Sequence, residues 1–158
     1  MGHADRGGAG DRGTGALLTP RFRFRHFETV RFRDLDALGH VNNAVYLTYF
    51  ESARIAYWLH TTKRTSLGAL DMILARAEID FRSPLAYGES VEISVGATSL
   101  GRSSFALESD MHERASGRLV AGSRKVLVYF DYAAGKSAPI PDGLRALILA
   151  QDPEAQQA

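Results

Sequence analysis

The chain contains no cysteine and no hydrophobic run long enough to cross a membrane. The first absence excludes disulfides, thiolate metal sites and cysteine nucleophiles, and it is typical of proteins from a reducing compartment. The N-terminus also lacks an apolar segment behind a basic start, so the sequence predicts neither a membrane span nor a secretory signal. We therefore expect a soluble, cytoplasmic protein.

An excess of charge of one sign is also missing. The formal net charge is +1 and 23% of the residues are charged, so no large field would attract nucleic acid. The local exception is a set of alternating arginines, namely Arg21, Arg23, Arg25, Arg31 and Arg33. Such a stripe could meet phosphates, but more often it is the solvated face of an edge strand. We expect neither a nucleic-acid nor a membrane partner.

The length and composition indicate one domain. A chain of 158 residues with 45% apolar composition can bury a core of its own. Residues 1–19 hold six glycines and few apolar side chains, so this segment cannot repay the entropy lost on ordering. We predict a disordered tail over residues 1–19, a single domain over residues 20–150 and a frayed C-terminus over residues 151–158.

The order of elements predicts an α+β fold with an antiparallel sheet and one long helix. Alternating apolar and charged residues predict a half-buried strand from Arg21, and a stretch without Gly or Pro predicts a helix over residues 44–60. Four strands that can pair antiparallel follow, and a short helix starts near Asp142. The long helix is apolar on nearly every face, so it needs a curved sheet on one side and a second cover, which we expect to be another subunit.

The most informative segment runs from Asp34 to Glu51 and joins an acidic turn to the start of this helix. The first N–H groups of a helix are unpaired and carry partial positive charge, so they can hold an oxygen on which negative charge develops. A carboxylate beside them, such as Asp36, can act as a base or nucleophile from the other side. The combination suits hydrolysis of an activated acyl group.

The same segment also has a purely structural interpretation. The two aspartates and Gly39 can shape a turn, and His40 is more often a hydrogen-bonded structural residue than a general base. Asn42 and Asn43 are natural helix caps. The spacing alone leaves both interpretations open.

Other chemical sites are excluded by their spacing. A calcium loop requires oxygen ligands where Leu38 and Val45 stand. Ser103 lacks the glycine that follows a nucleophile-elbow serine, and the segment at His112 lacks the second histidine of a zinc helix motif. We expect no metal site and no resident cofactor.

Glu51 lies two turns into the apolar helix, where it must reach water or find a partner. Arg54 stands at the spacing of a helical neighbour, so the two can form an ion pair. A structural ion pair and a catalytic role for Glu51 both remain open.

The segment RFRDLDALGHVNNAVYLTYFESAR, residues 31–54, resembles a known family. It is close to the D-x-D-x-x-G-H-V-N-N-x-x-Y-x-x-Y-x-E-x-x-R signature of hotdog-fold acyl-CoA thioesterases of the 4-hydroxybenzoyl-CoA thioesterase type. Weaker similarity extends over about residues 21–148. The resemblance implies a five-stranded antiparallel sheet wrapped around the long helix, and a homodimer or homotetramer with active sites at the subunit interface.

The resemblance also implies roles for individual residues. Asp36 matches the catalytic carboxylate, as nucleophile or general base, and Asn43 matches the residue whose backbone N–H polarises the thioester carbonyl. Related hotdog proteins carry the acid on the helix, where Glu51 would take its place. His40 and Asn42 would shape the loop beside the substrate. Tyr46 and Phe50 would line the acyl pocket, and Arg102 and Lys125 would bind the coenzyme A phosphates. An acyl-carrier-protein thioesterase and a non-catalytic acyl-binding module are the alternatives.

Overall fold

The structure is a computed structural model that describes residues 21–66 and 71–157. The predicted disordered tail, residues 1–19, lies outside the described residues. The elements in chain order are β1 (Phe24–Thr29), α1 (Asn43–Thr62), β2 (Met72–Phe81), β3 (Ser90–Leu100), β4 (Ser104–Glu113), β5 (Leu119–Asp131), β6 (Lys136–Ser137), α2 (Asp142–Gln151) and β7 (Gln156–Gln157).

Five main strands form an antiparallel sheet in the spatial order β1-β3-β4-β5-β2, so β1 and β2 lie at the two edges. The short β6 pairs with β5, and β7 runs parallel to the end of β3. The helix α1 packs across one face of this sheet. The predicted α+β class, the antiparallel pairing and the short C-terminal helix are confirmed.

The core lies between α1 and the sheet. The absence of Gly and Pro lets α1 run for 20 residues, and its large aromatic side chains point toward the strands. Tyr49, Phe50, Tyr57 and Trp58 are each at most 1% exposed, and the Trp58 ring stacks on Phe105 with 5.8 Å between centroids. Burial of side chains of this size stabilises the fold by roughly 1.5–3 kcal/mol each.

One side of α1 is not covered within the subunit. Ala44, Leu47, Thr48 and Glu51 are exposed, on the side of the helix for which we expected a second subunit as cover. The edge strand β2 is exposed on both faces for most of its length. A single sheet therefore covers only part of the helix, because α1 packs mainly against β1 and β3 and leaves most of β2 uncovered.

The first strand is shorter than the sequence predicts. Its alternation of apolar and charged residues continues to Arg33, but β1 ends at Thr29 and Phe32 is 78% exposed in a short turn. The reason is the Asp34 carboxylate, which accepts a 2.9 Å hydrogen bond from the backbone N–H of Arg31 and so bends the chain.

The expected fraying of the C-terminus is wrong for the described residues 151–157. Asp152 and Ala155 are buried, and β7 pairs with Ser99 and Leu100. The side chain of Asp152 holds the segment in place, because it accepts hydrogen bonds from the backbone of Ala97 at 2.9 Å and from the Tyr57 hydroxyl at 2.6 Å.

Candidate active site

The acidic turn before α1 is a tight loop closed by its own backbone. The N–H of Asp36 donates to the carbonyl of His40 at 2.7 Å, and Leu35 pairs with Val41 across the loop. Gly39 has a φ of 80°, a left-handed conformation that glycine adopts without strain. The turn therefore reverses the chain and delivers it into the helix.

This loop is fixed against the segment that precedes β3. The Val41 N–H donates to the Leu85 carbonyl at 2.9 Å. Arg118 in turn anchors that segment, because its guanidinium donates to the Pro84 carbonyl at 2.7 Å and to Glu89 at 2.8 Å. The loop thus rests on a rigid support that comes from a distant part of the chain.

The two aspartates of the turn have different environments. Asp34 is 4% exposed and accepts hydrogen bonds from the Arg31 guanidinium and from the Tyr49 hydroxyl. Burial alone would raise the pKa of Asp34, but these bonds, with one from the Arg31 backbone, outweigh it and hold the pKa at about 2. Both oxygens of Asp34 are engaged, so this carboxylate stabilises the turn and has no oxygen left for chemistry.

Asp36 retains a free oxygen. Its Oδ1 accepts hydrogen bonds from the backbone N–H groups of Leu38 at 2.8 Å and His40 at 3.2 Å. Its Oδ2 accepts none from any described residue, and the side chain is half-buried. One oxygen therefore shapes the turn, and the other has no hydrogen-bond partner among the described residues.

The start of α1 also leaves one group free. The Asn42 side chain accepts a hydrogen bond from the N–H of Ala44 at 2.9 Å, and its carbonyl accepts one from Val45 at 2.8 Å. The N–H of Asn43, the first residue of the helix, donates to no acceptor among the described residues. Asn42 thus caps the helix as expected, and the donor at Asn43 stays open to a ligand.

Glu51 is placed away from this helix start. It lies eight residues after Asn43, or about 12 Å along the helix axis. Its carboxylate pairs with Arg54 at 3.1 Å and its side chain is 60% exposed. The ion pair that the spacing predicted is present.

The two aromatic residues expected to line the acyl pocket belong to the core of the subunit. Tyr46 is 3% exposed and Phe50 is fully buried. The Tyr46 ring meets Phe81 edge to face at 5.2 Å, and burial raises the pKa of its hydroxyl. Neither side chain faces open space within one subunit.

The two basic residues chosen for the coenzyme A phosphates do not join Asp36 in one subunit. Arg102 follows the far end of β3, whose 11 residues span about 35 Å from the end beside the acidic turn. Lys125 is 2% exposed beneath α1, so its ammonium does not lie on the open surface of the subunit. Its position on β5 points the side chain toward α1, and a role for Lys125 at the coenzyme A phosphates stays a prediction.

The arginine stripe is largely paired with carboxylates. Arg21 contacts Glu108 at 2.7 Å, Arg25 contacts Glu92 at 3.4 Å, and Arg31 is bound to Asp34. These arginines therefore balance acids on the sheet and the turn.

Two buried clusters were not anticipated from the sequence. The bond between Asp34 and Tyr49 joins two residues of one motif, and their shared presence in it was the available signal. The cluster of Arg54 and Lys125 joins residues far apart in sequence, and no local pattern indicates it.

Within the described residues there is no group of three or more His, Cys, Asp or Glu side chains that could hold a metal ion. Among the helices of these residues, none is long and apolar enough to span a bilayer.

Comparison with known proteins adds the family context. The sequence pattern of the thioesterase-like superfamily matches residues 30–148. The chain is 26% identical over 128 residues to the uncharacterized protein YsmA of Bacillus subtilis (strain 168), a match that covers 81% of this chain and 86% of that protein.

Solved structures share the fold. A thioesterase from Thermus thermophilus, crystallised with coenzyme A and Zn, is 39% identical, with 84% of this chain and 96% of that chain covered and a TM-score of 0.73. Slr0204 from Synechocystis, a 1,4-dihydroxy-2-naphthoyl-CoA thioesterase, is 23% identical, with 82% and 97% covered and a TM-score of 0.71. These matches confirm the predicted hotdog-type fold.

Proposed function

The chain belongs to the thioesterase-like superfamily, and on that premise we propose that it is an acyl-CoA thioesterase, which hydrolyses a thioester to a carboxylic acid and free coenzyme A. The observation that carries this proposal is the pair of free groups at one turn. The Oδ2 of Asp36 and the N–H of Asn43 have no partner among the described residues, whereas the Oδ1 of Asp36 and the side chain of Asn42 are both hydrogen-bonded.

The chemistry of a thioester suits this small set of groups. The N–H of Asn43, reinforced by the positive end of α1, would hold the carbonyl oxygen as it gains negative charge. Asp36 would attack the carbonyl carbon directly or take a proton from the attacking water. The thiolate leaves readily, so one carboxylate and one oriented donor can suffice. His40 and Asn42 would hold the loop and the helix start in this geometry.

We further propose that the working form is a homodimer or homotetramer. The uncovered strip of α1 and the exposed edge strand β2 form a surface suited to a second copy. A second copy would also supply a wall for the acyl group beside Leu47, which is 46% exposed in one subunit.

The direct test is release of free thiol from a panel of acyl-CoA esters, measured with a thiol reagent. Turnover of at least one ester, above the rate of thiol release in the absence of protein, supports the proposal. Tight binding of acyl-CoA without thiol release from any ester would instead identify a non-catalytic binding module. Turnover of acyl-carrier-protein esters alone would identify the other alternative.

A further inference from the structure

Two buried cations meet between α1 and β5. Lys125 is 2% exposed, its Nζ lies 4.6 Å from the centroid of the Phe50 ring, and it donates to the Ser123 hydroxyl at 2.9 Å. Arg54 is 9% exposed and donates to Glu51, while its Nε has no acceptor among the described residues. Buried cations are costly unless they are paired, so this cluster calls for an anion.

The carboxylates of the chain supply only part of the negative charge that would pair these two cations. Within the part of the chain that the structure describes, Glu51 is the one carboxylate that acts on Lys125, and its side chain is largely in water. Burial, and next the charge of Arg54, lower the pKa of Lys125 to about 7, and Glu51 opposes them only in part. Arg124 and Glu78 are cross-strand partners one register position away from Lys125, so their side chains lie on the other face of the sheet. The cluster therefore joins two cations to a half-solvated carboxylate.

The cluster lies on the same side of α1 as the proposed oxyanion donor. Asn43, Phe50 and Arg54 are spaced i, i+7 and i+11, which places them in one line along the helix. Phe50 is seven residues from Asn43, or about 10 Å along the axis. Leu47, between them on this side, is 46% exposed, and Ala77, the β2 partner of Lys125, is exposed as well. An acyl group held at Asn43 would thus extend toward the cluster along surface that one subunit leaves uncovered, between α1 and the proposed second copy.

We propose that Lys125 and Arg54 bind a carboxylate at the far end of the acyl group, so that the preferred substrates are coenzyme A monothioesters of dicarboxylic acids. This inference rests on the proposed function and names its substrate class. The planar guanidinium of Arg54 has unused donors that match a carboxylate, and the Lys125 ammonium adds a second charge beside it. Without the substrate carboxylate, the two buried cations share only the carboxylate of Glu51, which is largely in water.

The test compares adipoyl-CoA with hexanoyl-CoA, whose acyl chains have the same number of carbons. We expect kcat/KM to favour adipoyl-CoA by roughly 10-fold or more, since a site built for a polar group discriminates against its absence. Lys125→Met should reduce kcat/KM for adipoyl-CoA at least about 10-fold more than for hexanoyl-CoA. The matched control is Arg124→Met, on the opposite face of the same strand, which should leave the ratio unchanged.

Several results would overturn this assignment. They are equal or reversed preference in the native protein, an equal loss on both esters in Lys125→Met, or a preference for 4-hydroxybenzoyl-CoA that Lys125→Met does not alter. If Lys125→Met does not fold, Arg54→Gln serves as the second variant with the same expected ratio. If no thioester is hydrolysed, the proposed function fails, and calorimetric binding of hexanoate against hexanamide judges the carboxylate site by itself. Tighter hexanoate binding that the variant loses supports the site, and equal binding refutes it.

Discussion

The hydroxyl of Tyr49 donates a 2.6 Å hydrogen bond to the Oδ2 of Asp34, and this bond ties the second turn of α1 to the acidic turn that precedes the helix. Asp34 is thereby committed to the scaffold, and the neighbouring Asp36 keeps a free oxygen. One aspartate of the motif holds the turn in shape, and the other is the one available for chemistry.

Replacing Tyr49 by phenylalanine tests the structural role of its hydrogen bond to Asp34. The variant keeps the buried ring and removes one hydrogen bond to a buried carboxylate, so we expect a loss of about 1.5–3 kcal/mol in the free energy of unfolding. Urea denaturation followed by circular dichroism measures it. Tyr132→Phe, at an exposed tyrosine, is the control and should change little. Equal stability of Tyr49→Phe and the native protein would contradict the role given to this bond.

Acid should weaken the protein through Asp34. The pKa of this carboxyl is lowered from its ordinary value of 3.8 to about 2 in the folded state, so its contribution to stability is complete above about pH 4. That contribution is lost as the pH falls from 4 toward 2, because the unfolded chain then binds the proton more readily. Unfolding free energies across this range should fall less steeply in Asp34→Asn than in the native protein. Parallel curves would show that Asp34 is not the group responsible.

Replacing Asp36 by asparagine tests the catalytic role proposed for this residue. The amide oxygen can still accept the bonds from Leu38 and His40, so the turn should keep its shape. Loss of the acidic group should reduce thioester turnover by at least about 100-fold, the magnitude expected for a catalytic acid or base. Free-thiol release and a denaturation curve are measured on the same preparation. Near-native turnover in a folded variant would remove Asp36 from the mechanism.

The cap of α1 should affect stability and turnover together. Asn42→Ala removes the acceptor for the Ala44 N–H, which costs about 1 kcal/mol in similar caps, and it loosens the turn that orients the Asn43 N–H. We therefore expect a modest fall in stability and a clear fall in kcat. Asn42→Asp preserves the acceptor and should retain both. A loss of stability in Asn42→Ala without any change in kcat would separate the cap from the proposed oxyanion donor.

Removal of the C-terminal segment should be costly. Deleting residues 152–158 takes away the carboxylate that satisfies the Tyr57 hydroxyl and the Ala97 N–H, and each buried donor left without a partner costs about 1–3 kcal/mol. Deleting only residues 156–158 keeps Asp152 and is the matched control, with a smaller expected effect. Denaturation midpoints of the two truncations decide the matter. Equal midpoints would mean that Asp152 does not hold the segment.

The sequence by itself determined most elements of this protein and the conformation of the turn that precedes α1. Periodicity predicted the strands, the long helix and the short C-terminal helix because side-chain alternation and helix composition are local properties. The turn at Asp36 and the cap at Asn42 were also readable, since Asp, Gly and Asn carry their conformational preferences with them. The family signature in the same segment pointed to the fold that the comparisons confirm.

Only the tertiary structure decided how distant residues are used. It separated Asp34 from Asp36 by bonding the Tyr49 hydroxyl to one of them, and it buried Lys125 near Arg54, a placement that no local pattern of the sequence indicates. It also ordered the segment around Asp152 through bonds to Tyr57 and Ala97, which lie far away in the sequence. The physical reason is common to all three cases: burial and hydrogen bonding depend on which elements the sheet order brings together, and no local pattern records that order.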